Sequence, residues 1–248
     1  MKYLFLFLVV AVCACQSGPQ ARLNGKFGQD LKSKTIKVKT PKSHRDSVLF
    51  TIPIKEGGSF SWAGSLPEGT MLVLDLDKDY ISIPWYAESQ DYTLEQAGEN
   101  YYLVSSRKES LQNRFTEFRK EQDRRETTYN TECRGYDAIT DMEEKVQFSD
   151  RMGKMFDENQ EYLLSGIRQF AGTQIGDFLA DEKLYYWEVD YVGFTKVMEI
   201  LDGHMTETPM KNRLVATYDK LKAKQLTGVA PDFELPDMKG KLVRLSSF

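Results

Sequence analysis

The sequence predicts an α+β protein in which an antiparallel β-sandwich or small barrel precedes a helical region. Up to about residue 100, short segments alternate apolar and polar residues, the period of half-buried strands. Near residue 103 the spacing changes to that of amphipathic helices. We therefore divide the chain into a signal segment (1–15), a tether (16–22), a β-rich domain (23–102), a helical region (103–227) and a terminal segment (228–248).

The N-terminus has the pattern of a secretory signal. Lys2 precedes an apolar run at 3–12, which is far shorter than the ~20 residues that span a bilayer as a helix. The following Val12-Cys13-Ala14-Cys15 resembles the bacterial lipobox, which implies lipid on Cys15. Gln16, rather than an acidic residue, follows the cysteine, which favours an outer-membrane anchor facing the periplasm. An ordinary cleaved signal peptide stays open as the alternative.

Composition limits the chemistry that the chain can perform. The net charge is −4 and the basic residues are scattered, which argues against a nucleic-acid partner. Cys133 is the one cysteine outside the signal segment, so neither an internal disulfide nor a cysteine-based zinc site is expected. His44 and His204 are the only histidines and offer little material for a metal site or a catalytic triad. We therefore predict no metal and no cofactor.

The β-rich domain is predicted from strands separated by turn residues. A glycine turn signal at Gly25 opens it, and Pro53 favours an edge position for its strand. Phe60 and Trp62 are expected to share one face of a strand. The segments predicted as strands are 35–39, 47–54, 59–62, 71–76 and 80–83.

The helical region is predicted from apolar stripes. Thr208 followed by Pro209 is a favourable helix start, and Gly228 is a plausible stop. The stripes are Leu111, Phe115 and Phe118; Met142, Val146, Ser149, Gly153 and Phe156; Leu163, Ile167 and Phe170; Tyr191, Phe194, Met198 and Leu201; and Leu214, Tyr218, Leu221 and Gln225.

The terminal segment carries the most specific motif of the chain. The stretches GVAPDFELPD at 228–237 and GKLVRLSSF at 240–248 predict a hairpin. They resemble the opening of a thioredoxin-like domain, as in thiol-disulfide oxidoreductase lipoproteins of the TlpA/ResA kind and redoxins of the AhpC/TSA group. Many such lipoproteins carry a β-rich N-terminal domain of unknown function and a helical stretch, and the segment 57–62 (GGSFSW) resembles a strand of that domain.

The resemblance implies a lipid-anchored accessory region of a cell-envelope thiol-disulfide oxidoreductase. Such a region would engage a protein redox client or partner. No Cys-x-x-Cys occurs in the sequence, so no catalytic residue is transferred, and we expect the chain by itself to be inactive in disulfide exchange. The chain is expected to be truncated just after the thioredoxin-like domain begins. The alternative is a non-enzymatic envelope lipoprotein that binds a partner or ligand through its β domain.

Other chemistry-bearing residues carry weaker hypotheses. Cys133 is a candidate free thiol, because Arg134 could favour its thiolate, although an incidental thiol is the simpler interpretation. Asp75, Asp77 and Asp79 have the spacing of calcium ligands but lack the other residues of an EF-hand loop, which favours a solvated turn.

Two further groups of residues carry site hypotheses. The aromatic residues at 185–187, with Tyr191 and Phe194, could line a ligand groove, but a core or domain interface is the more usual role. The acidic residues Asp181, Glu182, Glu188 and Asp190 could supply a general acid and base, and nothing in the sequence brings them together.

We predict that the mature protein is acylated at Cys15. Mass spectrometry of the membrane fraction should find a diacylglyceryl-modified N-terminal cysteine, and Cys15→Ala should move the protein out of that fraction, because a lipid anchor is then lost. A mature N-terminus elsewhere, on a protein that is not acylated, would contradict this prediction.

Overall fold

The computed structural model describes residues 20–28, 31–41, 48–186, 191–225, 234–236 and 242–244. The signal segment, Cys15, His44 and Gly228 lie outside these residues. Within them the fold is α+β, as predicted, with two four-stranded sheets followed by five helices and a small hairpin. No helix in this described part is both long and apolar enough to cross a membrane.

Two separate sheets form the β domain, with no closed barrel in the described chain. The first sheet has the order β4-β1-β7-β8 and the second β3-β2-β5-β6. All neighbours are antiparallel except β1 and β7, which run parallel. The strands are β1 (Ala21–Lys26), β2 (Thr35–Lys39), β3 (Val48–Pro53), β4 (Ser59–Gly64), β5 (Thr70–Leu76), β6 (Ile81–Ala87), β7 (Asp91–Ala97) and β8 (Asn100–Ser105).

The inner faces of the two sheets enclose one apolar core. Leu23 and Tyr92 from the first sheet meet Leu74 and Trp85 from the second, and all four are essentially inaccessible to solvent. Phe60 and Trp62 both contribute to this core, so their predicted common face is confirmed. The domain is therefore a sandwich whose strands alternate inward and outward side chains.

Gly25 does not form the turn that the sequence suggests, since it lies inside β1 opposite Phe60. A Cβ at this position would overlap Leu94 and the Phe60 ring, so the absence of a side chain allows neighbouring core residues to approach. The prediction of edge position for Pro53 is confirmed, because β3 is the outer strand of its sheet. Strands β7 and β8 were not individually predicted, although Tyr92 and Leu94 alternate with polar residues.

Aromatic stacking joins one pair of sheet edges. Strands β3 and β4 are the outer strands on this side, and Phe50 of β3 stacks on Trp62 of β4 with ring centroids 4.8 Å apart. Trp62 in turn meets Trp85 edge-on at 5.7 Å. The two sheets are thus held together here without strand pairing.

A side chain from the first helix joins the other pair of edges, β6 and β8. Gln112 accepts a hydrogen bond from the Tyr86 N–H of β6 at 2.6 Å and donates one to the Leu103 carbonyl of β8 at 3.2 Å. Thr116, one turn later, also donates to Leu103, at 2.5 Å. These side chains replace the strand pairing that a closed barrel would have provided.

Five helices follow the sandwich, and in the described chain four of them have a side-chain N-cap, including the third, where the Thr173 hydroxyl accepts the Ile175 N–H at 3.3 Å. In the other three, the cap side chain accepts the backbone N–H of the residue three positions later; these caps are Ser110, Asp141 and Thr208. The predicted helix start at Thr208-Pro209 is therefore confirmed. The helices are α1 (Leu111–Cys133), α2 (Met142–Gln169), α3 (Gln174–Tyr186), α4 (Tyr191–Leu201) and α5 (Pro209–Ala223).

The helices pack on the outer face of the second sheet. Met71 and Tyr86 point away from the sandwich and join a second apolar core with Phe115, Ile167 and Phe194. The Gln174 side chain also accepts the Met71 N–H at 2.9 Å, which fixes the start of α3 against β5. Strands β5 and β6 therefore contribute side chains to two cores, one on each face.

The predicted apolar stripe on the first half of α2 is wrong. Met142 and Val146 are 73% and 55% exposed, whereas Phe148 and Met152 are buried. In the folded chain the Phe148–Met152 side of α2 faces α1, where Met152 contacts Cys133, and sequence spacing by itself does not select between the two faces. The later stripe of Leu163, Ile167 and Phe170 is buried, as expected from the sequence (Leu163 4%, Ile167 0%, Phe170 1%).

The last described element is a hairpin of β9 (Glu234–Pro236) and β10 (Leu242–Arg244). Leu235 pairs with Val243, and Glu234 forms an ion pair with Arg244 at 2.7 Å. Leu235 and Leu242 are 60% and 61% exposed. Phe233 and Leu245, the other apolar residues of the predicted hairpin, lie outside the described residues.

We expect Gln112→Leu to lower the free energy of unfolding by about 1–3 kcal/mol, because the Tyr86 N–H would lose its partner in a buried site. The matched control is Gln147→Leu on the exposed side of α2, which should change stability by no more than about 0.5 kcal/mol. Urea unfolding measures both variants. Equal midpoints for the two would contradict a bridging role for Gln112.

Gly166→Ala should destabilise the protein by about 1–3 kcal/mol, because the new Cβ would overlap the Phe118 ring between α1 and α2. That ring cannot easily move, since it stacks on Tyr162 at 4.8 Å. Gly153→Ala on the same helix meets no atom within 4 Å and should stabilise by about 0.5–1 kcal/mol. Thermal unfolding should show opposite shifts, and shifts of the same sign would refute this packing.

Candidate functional site

The β domain carries a cleft, which we call the edge cleft, where β6 and β8 separate beside α1. Its volume is about 210 Å³. Residues 81–84 of β6 supply one wall, residues 100–103 of β8 supply the other, and α1 contributes Gln112 and Thr116. Because β6 and β8 each have a strand partner on one side, backbone groups of their open edges face this cleft.

Three polar side chains form a network at the open end of the cleft. The Tyr102 hydroxyl donates to Asp123 Oδ2 at 2.5 Å, and the Asn100 amide donates to the same oxygen at 3.2 Å. Burial, and then the hydrogen bond to Asp123, raises the pKa of Tyr102 to about 12. Tyr102 therefore remains a neutral hydrogen-bond donor over the physiological pH range.

The cationic groups around the network are engaged by carboxylates. Arg119 forms an ion pair with Glu182 at 2.5 Å, and Lys120 pairs with Glu117 at 3.0 Å and with Glu95 at 3.5 Å. Hydrogen bonds and attraction from Glu117 and Glu95 overcome burial and raise the pKa of Lys120. The mouth of the cleft thus presents paired charges.

Tyr80 stands at the mouth of the edge cleft in an unusual conformation. Its φ is +55°, the left-handed region that a residue with a large side chain rarely occupies, and its side chain is 95% exposed. It directly follows the Asp77–Asp79 turn and precedes β6. An exposed aromatic ring beside a groove is a common feature of protein-binding surfaces.

The acidic residues considered for calcium are neutralised by the protein. Lys37 and Lys39 of β2 form ion pairs with Asp77, and Lys39 also pairs with Asp75. Asp79 instead accepts the backbone N–H groups of residues 32 and 33 at 2.8 and 2.9 Å. Hydrogen bonding to Lys37 lowers the pKa of Asp77 well below its usual range. These carboxylates fasten a turn, which agrees with the turn interpretation.

The candidate free thiol lies far along the α1–α2 pair. Cys133 is the last residue of α1 and is partly exposed, with its Sγ 3.8 Å from the Sδ of the buried Met152. Burial and a hydrogen bond to Cys133 raise the pKa of Tyr129. The thiol thus lies beside a thioether and an aromatic ring, beyond Asp123 at the end of the same helix.

The acidic residues of α3 diverge. Asp181 is buried and accepts two hydrogen bonds from Arg213 of α5, at 3.0 and 2.8 Å. Glu182, the next residue, instead faces Arg119 of α1. Each carboxylate therefore joins two helices, and they do not form an acid–base pair. Glu188 and Asp190 lie outside the described residues.

The proposed aromatic groove is not formed by the residues that can be placed. Phe194 is buried in the helical core, and Tyr191 stacks on Tyr218 with centroids 5.5 Å apart. The side chains at 185–187 lie outside the described part. Among described residues no group of three or more His, Cys, Asp or Glu side chains is placed to hold a metal ion.

Sequence inspection did not single out the residues that form the edge cleft. Gln112 and Thr116 lie four residues apart beside the Leu111, Phe115 and Phe118 stripe, and this pair of polar residues flanking an apolar face was the available signal. Tyr102 and Asp123 carried no such signal, because their meeting depends on how α1 crosses the sheet.

The edge cleft is lined by hydrogen-bonding groups and by charges that have partners. Its Tyr102 hydroxyl is neutral and already donates to Asp123, its Arg119 is paired with Glu182, and its strand edges offer backbone hydrogen bonds. No protein-family model, no curated protein and no solved structure matches the chain. The possible function therefore has to be argued from the geometry of these residues.

Proposed function

We propose that the chain is the lipid-anchored accessory region of a cell-envelope thiol-disulfide oxidoreductase of the redoxin family. In this role the sandwich and helices position a thioredoxin-like domain or engage its client. The outer-membrane location facing the periplasm and the acylated Cys15 belong to the same proposal. The chain itself supplies binding surfaces, and the dithiol chemistry belongs to a part with a Cys-x-x-Cys pair.

The hairpin of β9 and β10 carries this proposal. Its two strands pair antiparallel, yet Leu235 and Leu242 remain mostly exposed. An isolated two-stranded hairpin is marginally stable in water. Burial of its exposed leucines against a sheet or helix would stabilise it. Both features support a hairpin that packs against a larger domain.

A second candidate function is non-enzymatic: the protein would bind a protein partner through its β domain. The edge cleft favours it, because Tyr80 is held exposed at its mouth in a left-handed conformation. That conformation costs roughly 1–2 kcal/mol, a cost that is easier to understand if the ring contacts a partner.

Peptide mapping of the native protein from the membrane fraction separates the two functions. The oxidoreductase function predicts peptides beyond Phe248 that contain Trp-Cys-x-x-Cys. It also predicts that the native protein reduces insulin. Residues 16–248 by themselves should reduce insulin no faster than dithiothreitol does. A native chain that ends at Phe248 would refute the first function and leave partner binding as the better one.

A charge substitution in the hairpin tests whether a larger domain covers Leu235. Leu235→Lys should change the stability of residues 16–248 by less than about 0.5 kcal/mol, because the side chain is exposed there. In the longer native protein it should cost about 1.5–3 kcal/mol, the value of a buried leucine. Val215→Lys on the exposed side of α5 is the control and should have the same small effect in both. An equally small effect of Leu235→Lys in both would exclude a covering domain.

A further inference from the structure

A second cavity, which we call the interhelical pocket, lies between α1, α2 and α3. Its volume is about 390 Å³. The side chains around it are almost all polar, with Leu163 as the one aliphatic residue among those that line it in the described chain. The same three helices meet elsewhere through Phe115, Ile167 and Phe178, so the polar lining is a local departure from an apolar interface.

The pocket contains hydrogen-bonding capacity that the protein leaves unused. Gln122 Oε1 is buried and has no partner, although its amide nitrogen donates to Glu126 at 3.1 Å. The side-chain amides of Asn130 and Asn159 make no hydrogen bond to other described residues. Buried polar atoms are nearly always satisfied in folded proteins, so the buried Gln122 oxygen marks a position that a hydrogen-bond donor of a bound molecule would satisfy. The amides of Asn159, which is half-buried, and Asn130, which is exposed, lie beside it and can bind the same molecule.

The charges of the pocket balance. Arg119 and Lys183 contribute two positive charges, and Glu126 and Glu182 contribute two negative charges. Arg119 pairs with Glu182 at 2.5 Å, and the buried Lys183 donates to Gln160 at 2.9 Å. An anion would meet the two carboxylates and a cation would meet the two basic groups, so a molecule without net charge fits best.

The unused groups define the chemistry of that molecule. A carboxamide offers both a donor and an acceptor, and a hydroxyl group is the neutral ligand group that does the same. The pocket volume falls within the range of roughly 300–1,000 Å³ that small-molecule sites occupy. We propose that the interhelical pocket binds a small neutral molecule rich in hydroxyl groups, of the size of a mono- or disaccharide. This site is independent of the function proposed above.

Isothermal titration calorimetry of residues 16–248 tests the site with glucose, galactose, maltose and cellobiose, at up to about 10 mM so that millimolar binding is seen. At least one neutral sugar should bind saturably. Its charged relatives glucosamine or glucuronate should bind at least about tenfold more weakly. Absence of binding by every neutral sugar, or tighter binding of a charged relative, would overturn the proposal.

Two substitutions locate the binding. Asn159→Leu should weaken the affinity by about tenfold or more, because it removes a donor and an acceptor from the pocket. Asn212→Leu, at an exposed position on α5, is the matched control and should bind as the unaltered chain does. Asn130→Leu at the exposed rim provides a second variant, should Asn159→Leu fail to fold by circular dichroism. Unchanged affinity in a folded pocket variant would refute this location.

Discussion

The hydrogen bonds of Gln112 join the two sheets of the β domain at an edge where no strand pairing joins them. Two four-stranded sheets face each other without closing, so β6 and β8 leave backbone groups without strand partners. Gln112 satisfies one group on each side, and Thr116 adds a second bond to Leu103. Because the side chain of Gln112 bonds to both strands, α1 must cross the sheet edge at one fixed position along β6 and β8. The position of the helical region depends on that crossing.

The remaining helices follow from the same docking. Once α1 is seated, Phe115 lies near the outward-facing Met71 and Tyr86, and α2, α3 and α4 close around this nucleus. Gln174 acts in the same way as Gln112, because its side chain also accepts a backbone N–H of a strand, that of Met71 in β5. The two cores share β5 and β6, so the β domain and the helical region are better described as one packed unit than as two independent domains.

Sequence patterns predicted what depends on local periodicity. The strands at 35–39 and 71–76 and the cap at Thr208 follow from alternation and capping chemistry, and these features need no knowledge of the rest of the chain. The face of α2 was mispredicted because Met142 and Val146 are as apolar as Phe148 and Met152, and only the packing direction decides between them. The edge cleft could not be predicted, since Tyr102 and Asp123 meet through tertiary structure.

The pairing of charges in the described residues bears on the binding role that we propose for this region. Acid–base catalysis needs a titratable group whose pKa lies near the working pH and which is free to reach a substrate. Asp181 is occupied by Arg213, Glu182 by Arg119, and Asp75 and Asp77 by lysines of β2. The Arg119–Glu182 pair also lines both cavities, on the edge-cleft side through Arg119 and on the interhelical side through both residues. Its charges hold helices together, and the hydrogen-bonding groups left over beside it are neutral amides. Neutral amides form hydrogen bonds without exchanging protons, which is the chemistry that the binding role proposed above requires.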